Sequence, residues 1–254
     1  MPLWSVSDIV CCQEFWYASP ETLARYVEVL APRYRLHGLQ RPGPDGASSR
    51  RPDGLFMAIR DEWEVLHEVD IDFEDAAGRC AQLLHLRRQP EDRARDDEPS
   101  VEPSVDELLV CNVHLLFSHN EASDQIRARE VHKLLTCLDT YKASLAAPPP
   151  ALICGDLNGE MSSPVSCFLH RYGWRSAFAS ARRGDSRRGA ADAPGAEGGG
   201  RRWVSHLTHE REALGVDYIW LLNPSDPRPA VKPDWTDHVF SEVGADRWSG
   251  AFRL

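Results

Sequence analysis

No apolar stretch in this chain is long enough to cross a membrane, and its first residues, Met1-Pro-Leu-Trp-Ser5, lack the charged and apolar regions of a secretory signal. The sequence therefore predicts a protein with no membrane partner, not exported by that route and resident in the cell interior, cytoplasmic or nuclear. There is no Cys-x-x-Cys pair. The seven cysteines (Cys11, Cys12, Cys80, Cys111, Cys137, Cys154 and Cys167) are scattered, mostly through apolar runs where a thiol behaves as a small hydrophobe. An odd, scattered set predicts a reducing compartment. A positive balance is also lacking: the formal net charge is -10, which argues against wrapping nucleic acid over a broad basic surface. A nuclease is not excluded, because a carboxylate-rich site adds negative charge that a bound divalent cation would partly offset. Internal repeats are absent, as is the acid-spaced loop of an EF-hand. The spacing His206-Leu-Thr-His209-Glu210 is not the His-Glu-x-x-His zinc pattern, and no further ligand set lies near it in sequence.

What is present is a succession of short apolar runs. They predict strands at Ile9 to Gln13, Leu55 to Ile59, Glu64 to Ile71, Arg79 to Leu86, Leu108 to Leu115, Ala151 to Cys154, Val216 to Leu222 and His238 to Val243. Helical periodicity covers Pro20 to Leu30, Ser123 to Tyr141, with Ile126, Val131, Leu134, Leu135 and Leu138 on one stripe, and Pro164 to Arg171. Many strands with few long helices predict an α/β fold of stacked sheets flanked by helices, and 254 residues suit one domain. Residues 41–52, 89–104 and 182–202 read as flexible insertions. The last is rich in Gly and Ala and carries Arg182, Arg183, Arg187, Arg188, Arg201 and Arg202.

The run Pro150-Ala-Leu-Ile-Cys-Gly-Asp-Leu-Asn-Gly-Glu160 is too short for a helix and breaks at Gly155, Asp156, Asn158 and Gly159. That pattern predicts a buried strand delivering an acid and an amide to a loop. Two residues apart, Asp156 and Asn158 share one face of an extended backbone and can hold a water and a phosphate oxygen together. The same residues also make ordinary Asx turns, so both readings stand at this point. Other runs end in the same way: Asp8-Ile-Val-Cys-Cys-Gln-Glu14, Asn112-Val-His114, Gly215-Val-Asp217-Tyr-Ile-Trp220 and, near the C-terminus, Thr236-Asp237-His238. Asn112 and His114 alternate with Val113, which puts both polar groups on one side of a strand.

In this order the segments resemble the endonuclease/exonuclease/phosphatase family of divalent-metal phosphodiesterases and phosphatases, from Ser7 to about Val243. The likeness is to the deadenylase-like branch and, within it, to plant members described as calcium-binding. They share Asp53-Gly-Leu55, Val113-His-Leu-Leu-Phe117, Trp203-Val-Ser-His206 and Gly215-Val-Asp-Tyr-Ile-Trp-Leu-Leu-Asn-Pro224. The resemblance implies a DNase I-like sandwich of four layers, two packed mixed sheets between helices, with the site at the loops along one edge. It implies Mg²⁺ or Mn²⁺ as cofactor, held by Glu14 and Asp237; hard oxygen ligands suit these ions. Asp156 is implied to orient and deprotonate the attacking water, with Asn158 holding the phosphate. His238 and His114 are implied to contact the phosphate from opposite sides, with Asp217 fixing the His238 tautomer. Asn112, Trp203 and His206 are implied to touch the substrate.

The function so implied is hydrolysis of nucleic acid, most simply a 3′-5′ RNA exonuclease of deadenylase type acting on single-stranded RNA. The alternatives are a phosphatase or phosphodiesterase for a small or lipid phosphate, of inositol phosphate type, and an inactive relative. Family members begin with a strand ending in an asparagine, then a helix, before the strand that ends in the glutamate. Here the glutamate strand lies almost at Met1, so the resemblance implies that the first strand is missing from this chain and that activity is impaired.

Overall fold

The computed structural model describes residues 6–43, 46–75, 77–89, 106–120, 122–180, 204–208 and 210–224. Three strands form a small antiparallel sheet: β1 (Ile9–Trp16), β2 (Tyr34–Gly43) and β3 (Gly46–Arg60), in the order β1-β3-β2. Six form a larger mixed sheet: β4 (Trp63–Asp72), β5 (Cys80–Arg88), β6 (Glu107–His114), β7 (Ala151–Asp156), β8 (Arg175–Ser176) and, after the hairpin β9 (His206–Leu207) and β10 (Ala213–Leu214), β11 (Asp217–Leu222). Their order is β4-β5-β6-β7-β11-β8, and among the described strands β6 and β7 run parallel while the other neighbours are antiparallel.

Helices α1 (Pro20–Leu30), α2 (Ser123–Ala143) and α3 (Pro164–Arg171) cover the sheets. Two of them start on the same device. Ser19 and Ser163 accept from the backbone N–H groups of Thr22 and Ser166, and a proline already suited to helical φ follows each serine. At α2 the Ser123 hydroxyl accepts from His119 and Asn120 and so ties the helix to the loop after β6.

Three apolar clusters define the layers. Leu23 and Leu30 of α1 pack with Phe15, Tyr34, Phe56 and Ala58 on the outer face of the small sheet. Met57 and Ile59 of that sheet meet Leu84, Leu86, Val110 and Leu152 of the large one. The far face of the large sheet packs Leu83, Cys111, Ile153 and Trp220 against Val131, Leu134 and Leu138 of α2 and Val165 and Phe168 of α3. The layers run helix, sheet, sheet, helices, as the resemblance implies.

Residues 41–52 correct one expectation. The segment is not a flexible loop: apart from residues 44 and 45 it is strand, closing the β2–β3 ladder with Pro42 opposite Arg50 and Gly43 opposite Gly46. Proline and serine suggested a loop, but the ladder accommodates Pro42 at register shifts on either side of it. The strand over Tyr34–Gly43 was not legible either, because its face alternates irregularly between buried and part-exposed residues. Residues 90–105, 181–203 and 225–254 lie outside the described residues, and with them the predicted strand at 238–243 and the arginine-rich segment.

Between the sheets sits one polar staple. Asn112 is fully buried; its Oδ1 accepts from Gln13 Nε2 at 2.7 Å, and its Nδ2 donates to the carbonyls of Cys12 and Phe56 at 3.2 and 3.3 Å. Asn112→Ala orphans these groups in a dry layer, where each costs about 1–3 kcal/mol. We expect a loss of about 2–3 kcal/mol in urea unfolding. A change below 0.5 kcal/mol, roughly the range of surface substitutions, would show that the staple is dispensable.

Candidate active site

The inner face of the large sheet is arranged in rows. Strand register places Leu84, Val110, Leu152 and Leu221 side by side, then Gln82, Asn112, Cys154 and Ile219, and last Cys80, His114, Asp156 and Asp217. The first row is apolar and the last is polar. That last row lies where β6 and β7 end together, so the sheet hands its titratable groups to one rim.

Asp156 closes β7, and a turn holds it in place. Its Oδ1 accepts from the backbone N–H of Asn158 at 2.8 Å, and its carbonyl accepts from Leu115 N. Asn158 adopts a left-handed backbone, φ 50°, and its Nδ2 donates to the Leu115 carbonyl at 2.9 Å. The Asx turn and the acid-amide pair are therefore the same object. Burial pushes the Asp156 carboxyl up to about 6, with the negative charges of Asp217 and Glu14 adding to it and the Asn158 N–H and Arg79 opposing.

His114 is buried, with Nε2 3.6 Å from Asp156 Oδ2. Arg79 Nη1 lies 2.9 and 3.0 Å from its two ring nitrogens. Burial, then the Arg79 and Arg41 cations, hold its pKa down at about 3, so the ring is neutral at physiological pH. It can donate one N–H to an oxygen but brings no charge.

Glu14 comes from the opposite sheet. Between Cys12 and Phe15 the β1–β3 ladder slips, with one extra residue on β1, and Glu14 sits in this bulge at φ 53° with its side chain exposed. A bulge re-aims a side chain that regular pleating would send elsewhere. Its electrostatic coupling to Asp156 and Arg79 puts it at the same rim.

Asp217 is joined to the β9–β10 hairpin, because Ser205 Oγ accepts from the N–H groups of Val216 and Asp217. His206 stands exposed on that hairpin, opposite Leu214. Asp156, Asn158, His114, Asp217 and Glu14 thus gather at one edge of the sandwich. Asn112 does not join them: it lies one row deeper with its polar atoms engaged between the sheets, which corrects its reading as a substrate contact. Trp203, Asp237 and His238 lie outside the described residues.

Sequence reading missed the cations. Arg79 is 7% exposed beside His114, and Arg41 donates to Asp53 Oδ2 at 2.6 Å and to the Ala77 and Gly78 carbonyls at 2.6 and 3.3 Å. The one available signal was the Asp53-Gly-Leu55 stretch, whose acid proves to anchor Arg41.

Burial raises Asp156 and the Asp217 and Glu14 charges add to it, a condition that a cation relieves. Among the described residues no three His, Cys, Asp or Glu side chains are close enough together to form a complete metal site. The oxygen donors fit Mg²⁺ or Mn²⁺ in kind, and Asp237 falls outside the described chain.

No protein-family model matches the chain. An uncharacterised calcium-binding protein of Arabidopsis thaliana is 32% identical over 243 residues, covering 93% of this chain and 45% of the plant protein, so the chain spans less than half of that relative. The structure of ANGEL2, a 2′,3′-cyclic phosphatase in complex with adenosine-2′,3′-vanadate, superposes with a TM-score of 0.58 at 16% identity, covering 85% of this chain and 70% of that one. D. rerio TDP2, complexed with single strand DNA product, superposes at 0.55 with 14% identity, covering 89% and 75%.

Proposed function

Since the chain has the DNase I-like fold of the endonuclease/exonuclease/phosphatase proteins, we propose that it hydrolyses phosphodiester bonds in nucleic acid, with the 3′ end of single-stranded RNA as its substrate. The observation that carries this reading is Asp156: a carboxylate aimed by its own turn, raised to about 6 by burial, and flanked by a neutral histidine and an arginine. The nucleotide-derived ligands of ANGEL2 and TDP2 support it as similar chemistry on the same fold.

In the reaction, Asp156 takes a proton from water while the water oxygen attacks phosphorus. A general base acts best when its pKa lies near the working pH, and the shift brings Asp156 toward that range. His114 donates its N–H to a non-bridging oxygen, and the Arg79 cation lies close enough to favour the charge that develops there. His238, supported by Asp217, returns a proton to the departing sugar oxygen. Glu14 and Asp237 would hold a divalent cation, whose chemistry here is to neutralise charge on the phosphate.

Hydrolysis is expected to stop in EDTA and to return with Mg²⁺ or Mn²⁺. Because Asp156 works ionised, kcat/KM falls about tenfold per pH unit on the acid side of its pKa, and the bound cation draws that limb below the value of about 6 that burial sets. The assay uses labelled poly(A), single-stranded DNA, an abasic-site duplex and an inositol polyphosphate in parallel. Turnover of the inositol phosphate alone moves the assignment to small phosphates, and EDTA-resistant rates overturn the metal.

A further inference from the structure

Beside Arg79, two acids meet where ordinary ionisation does not allow them to. Asp75, in the turn between β4 and β5, accepts from the Arg79 backbone N–H through Oδ1 at 3.0 Å, while its Oδ2 is buried without a partner. Glu130 of α2 is 2% exposed; its Oε2 accepts from Leu116 N at 2.9 Å, and its Oε1 is also buried without a partner. The Asp75 side chain lies near enough to Glu130 to hydrogen-bond with it once one of the two carries a proton. As two carboxylates they would present lone pair to lone pair in a dry layer, with neither orphan satisfied. One proton on Glu130 Oε1 turns both orphans into the donor and acceptor of a single bond.

We propose that Asp75 and Glu130 share one proton as an acid-carboxylate clamp, and that this clamp fixes the turn from which Arg79 reaches His114. The role assigned to Arg79 and His114 rests on the phosphodiesterase reading; the shared proton does not.

The surroundings support a protonated Glu130. Burial, followed by the Asp75 contact, pushes it up to about 9, and only the Leu116 N–H and Arg79 pull the other way. The charged groups that bear on it across the interface are Asp75 and Arg79. Along its own helix Arg127 is engaged with the Leu116 carbonyl, Ser118 and Asp124, and Lys133 with Glu74 at 2.9 Å. With one proton the pair carries a single negative charge, which the guanidinium of Arg79 balances. The same turn is closed by Phe73 N donating to the Arg79 carbonyl at 3.1 Å and Gly78 N to the Asp75 carbonyl at 3.0 Å. Loss of the clamp therefore moves Arg79 with respect to the histidine. Arg79 and Glu130 are positioning residues in this scheme; they act through His114.

A group whose folded pKa is raised stabilises the fold fully below its ordinary value of 4.5, and that contribution is lost as pH rises toward about 9. Above about 9 the clamp carries two negative charges and opens.

The experiment compares the chain with its Glu130→Gln and Arg79→Gln variants, by thermal melting from pH 6 to 10 and by NMR titration of the His114 ring, assigned through a His114→Gln spectrum. Glutamine reproduces the protonated acid, accepting from Leu116 N and donating to Asp75. Glu130→Gln is expected to melt at least as high as the parent at pH 7 and to lose much of the parent's decline toward pH 10, with the His114 signals unmoved. Arg79→Gln is expected to displace those signals and raise the His114 titration. A Glu130→Gln chain that melts well below the parent and keeps the full alkaline decline overturns the shared proton. His114 signals and titration unchanged in Arg79→Gln overturn the aiming role. Both readouts are independent of hydrolysis, so failure of the phosphodiesterase reading is seen separately, as a parent chain that melts and titrates as described yet turns over none of the phosphate substrates.

Discussion

Asp156→Asn is expected to lower kcat by about 10²–10⁴, the usual contribution of a positioned general base, with little change in melting temperature. Asparagine matches aspartate in shape, and its Oδ1 still accepts the Asn158 N–H that sets the turn. What it loses is the ability to take a proton from water. The fold should tolerate the change for a further reason. Burial and the nearby Asp217 and Glu14 charges all disfavour the ionised acid, so a neutral amide relieves repulsion at the rim. The variant is checked by circular dichroism melting alongside turnover. A mutant within threefold of the parent would remove Asp156 from the mechanism.

The second large effect falls one residue earlier and acts on the fold. Gly155→Ala is expected to destabilise the chain by about 3 kcal/mol, at the upper end of overpacking costs, or to prevent soluble expression. Gly155 has φ 148°, a backbone region that side-chain-bearing residues rarely adopt, and a Cβ built there would stand 1.9 Å from the Val113 carbonyl oxygen. That oxygen belongs to the neighbouring strand of the β6–β7 ladder, so it cannot swing aside as a flexible side chain does. Glycine is what lets β7 approach β6 at the row carrying His114 and Asp156. Chemical denaturation reads the effect, and a loss below 1 kcal/mol would show that the ladder yields more easily than this contact implies.

Much of this layout was legible in the sequence because strand ends announce themselves. Apolar runs bounded by His114, Asp156 and Asp217 predicted polar groups at strand ends, the family resemblance implied one common edge, and the register of β6, β7 and β11 sets those three residues side by side. Helix starts were legible for a similar reason, since Ser19-Pro20 and Ser163-Pro164 carry cap and first turn together. Residues that act through tertiary contact were not. Arg79 and His114 are 35 positions apart, and no local pattern says that the β4–β5 turn bends an arginine onto a strand-end histidine. Glu130 lay within a helical stretch where an acid reads as solvent-facing, until the turn carrying Asp75 covers it. Asn112 failed in a related way. Alternation correctly put it on the same face as His114, but alternation does not tell how far the second sheet extends, and at that row Cys12 and Phe56 already close over it. The 41–52 segment misled through composition: Pro42 and the serines suggested a loop where the backbone of β3 dictates a paired strand.

The most direct measurement of the central claim is isotopic. Single-stranded poly(A) is digested by the parent chain with Mg²⁺ in H₂¹⁸O, and the released mononucleotide is analysed by mass spectrometry, with Asp156→Asn as the paired sample. If Asp156 directs water onto phosphorus, the parent releases 5′-phosphorylated mononucleotide carrying one ¹⁸O on the phosphate, and the variant releases almost none. Label absent from the phosphate, or equal release by the two proteins, would contradict the account.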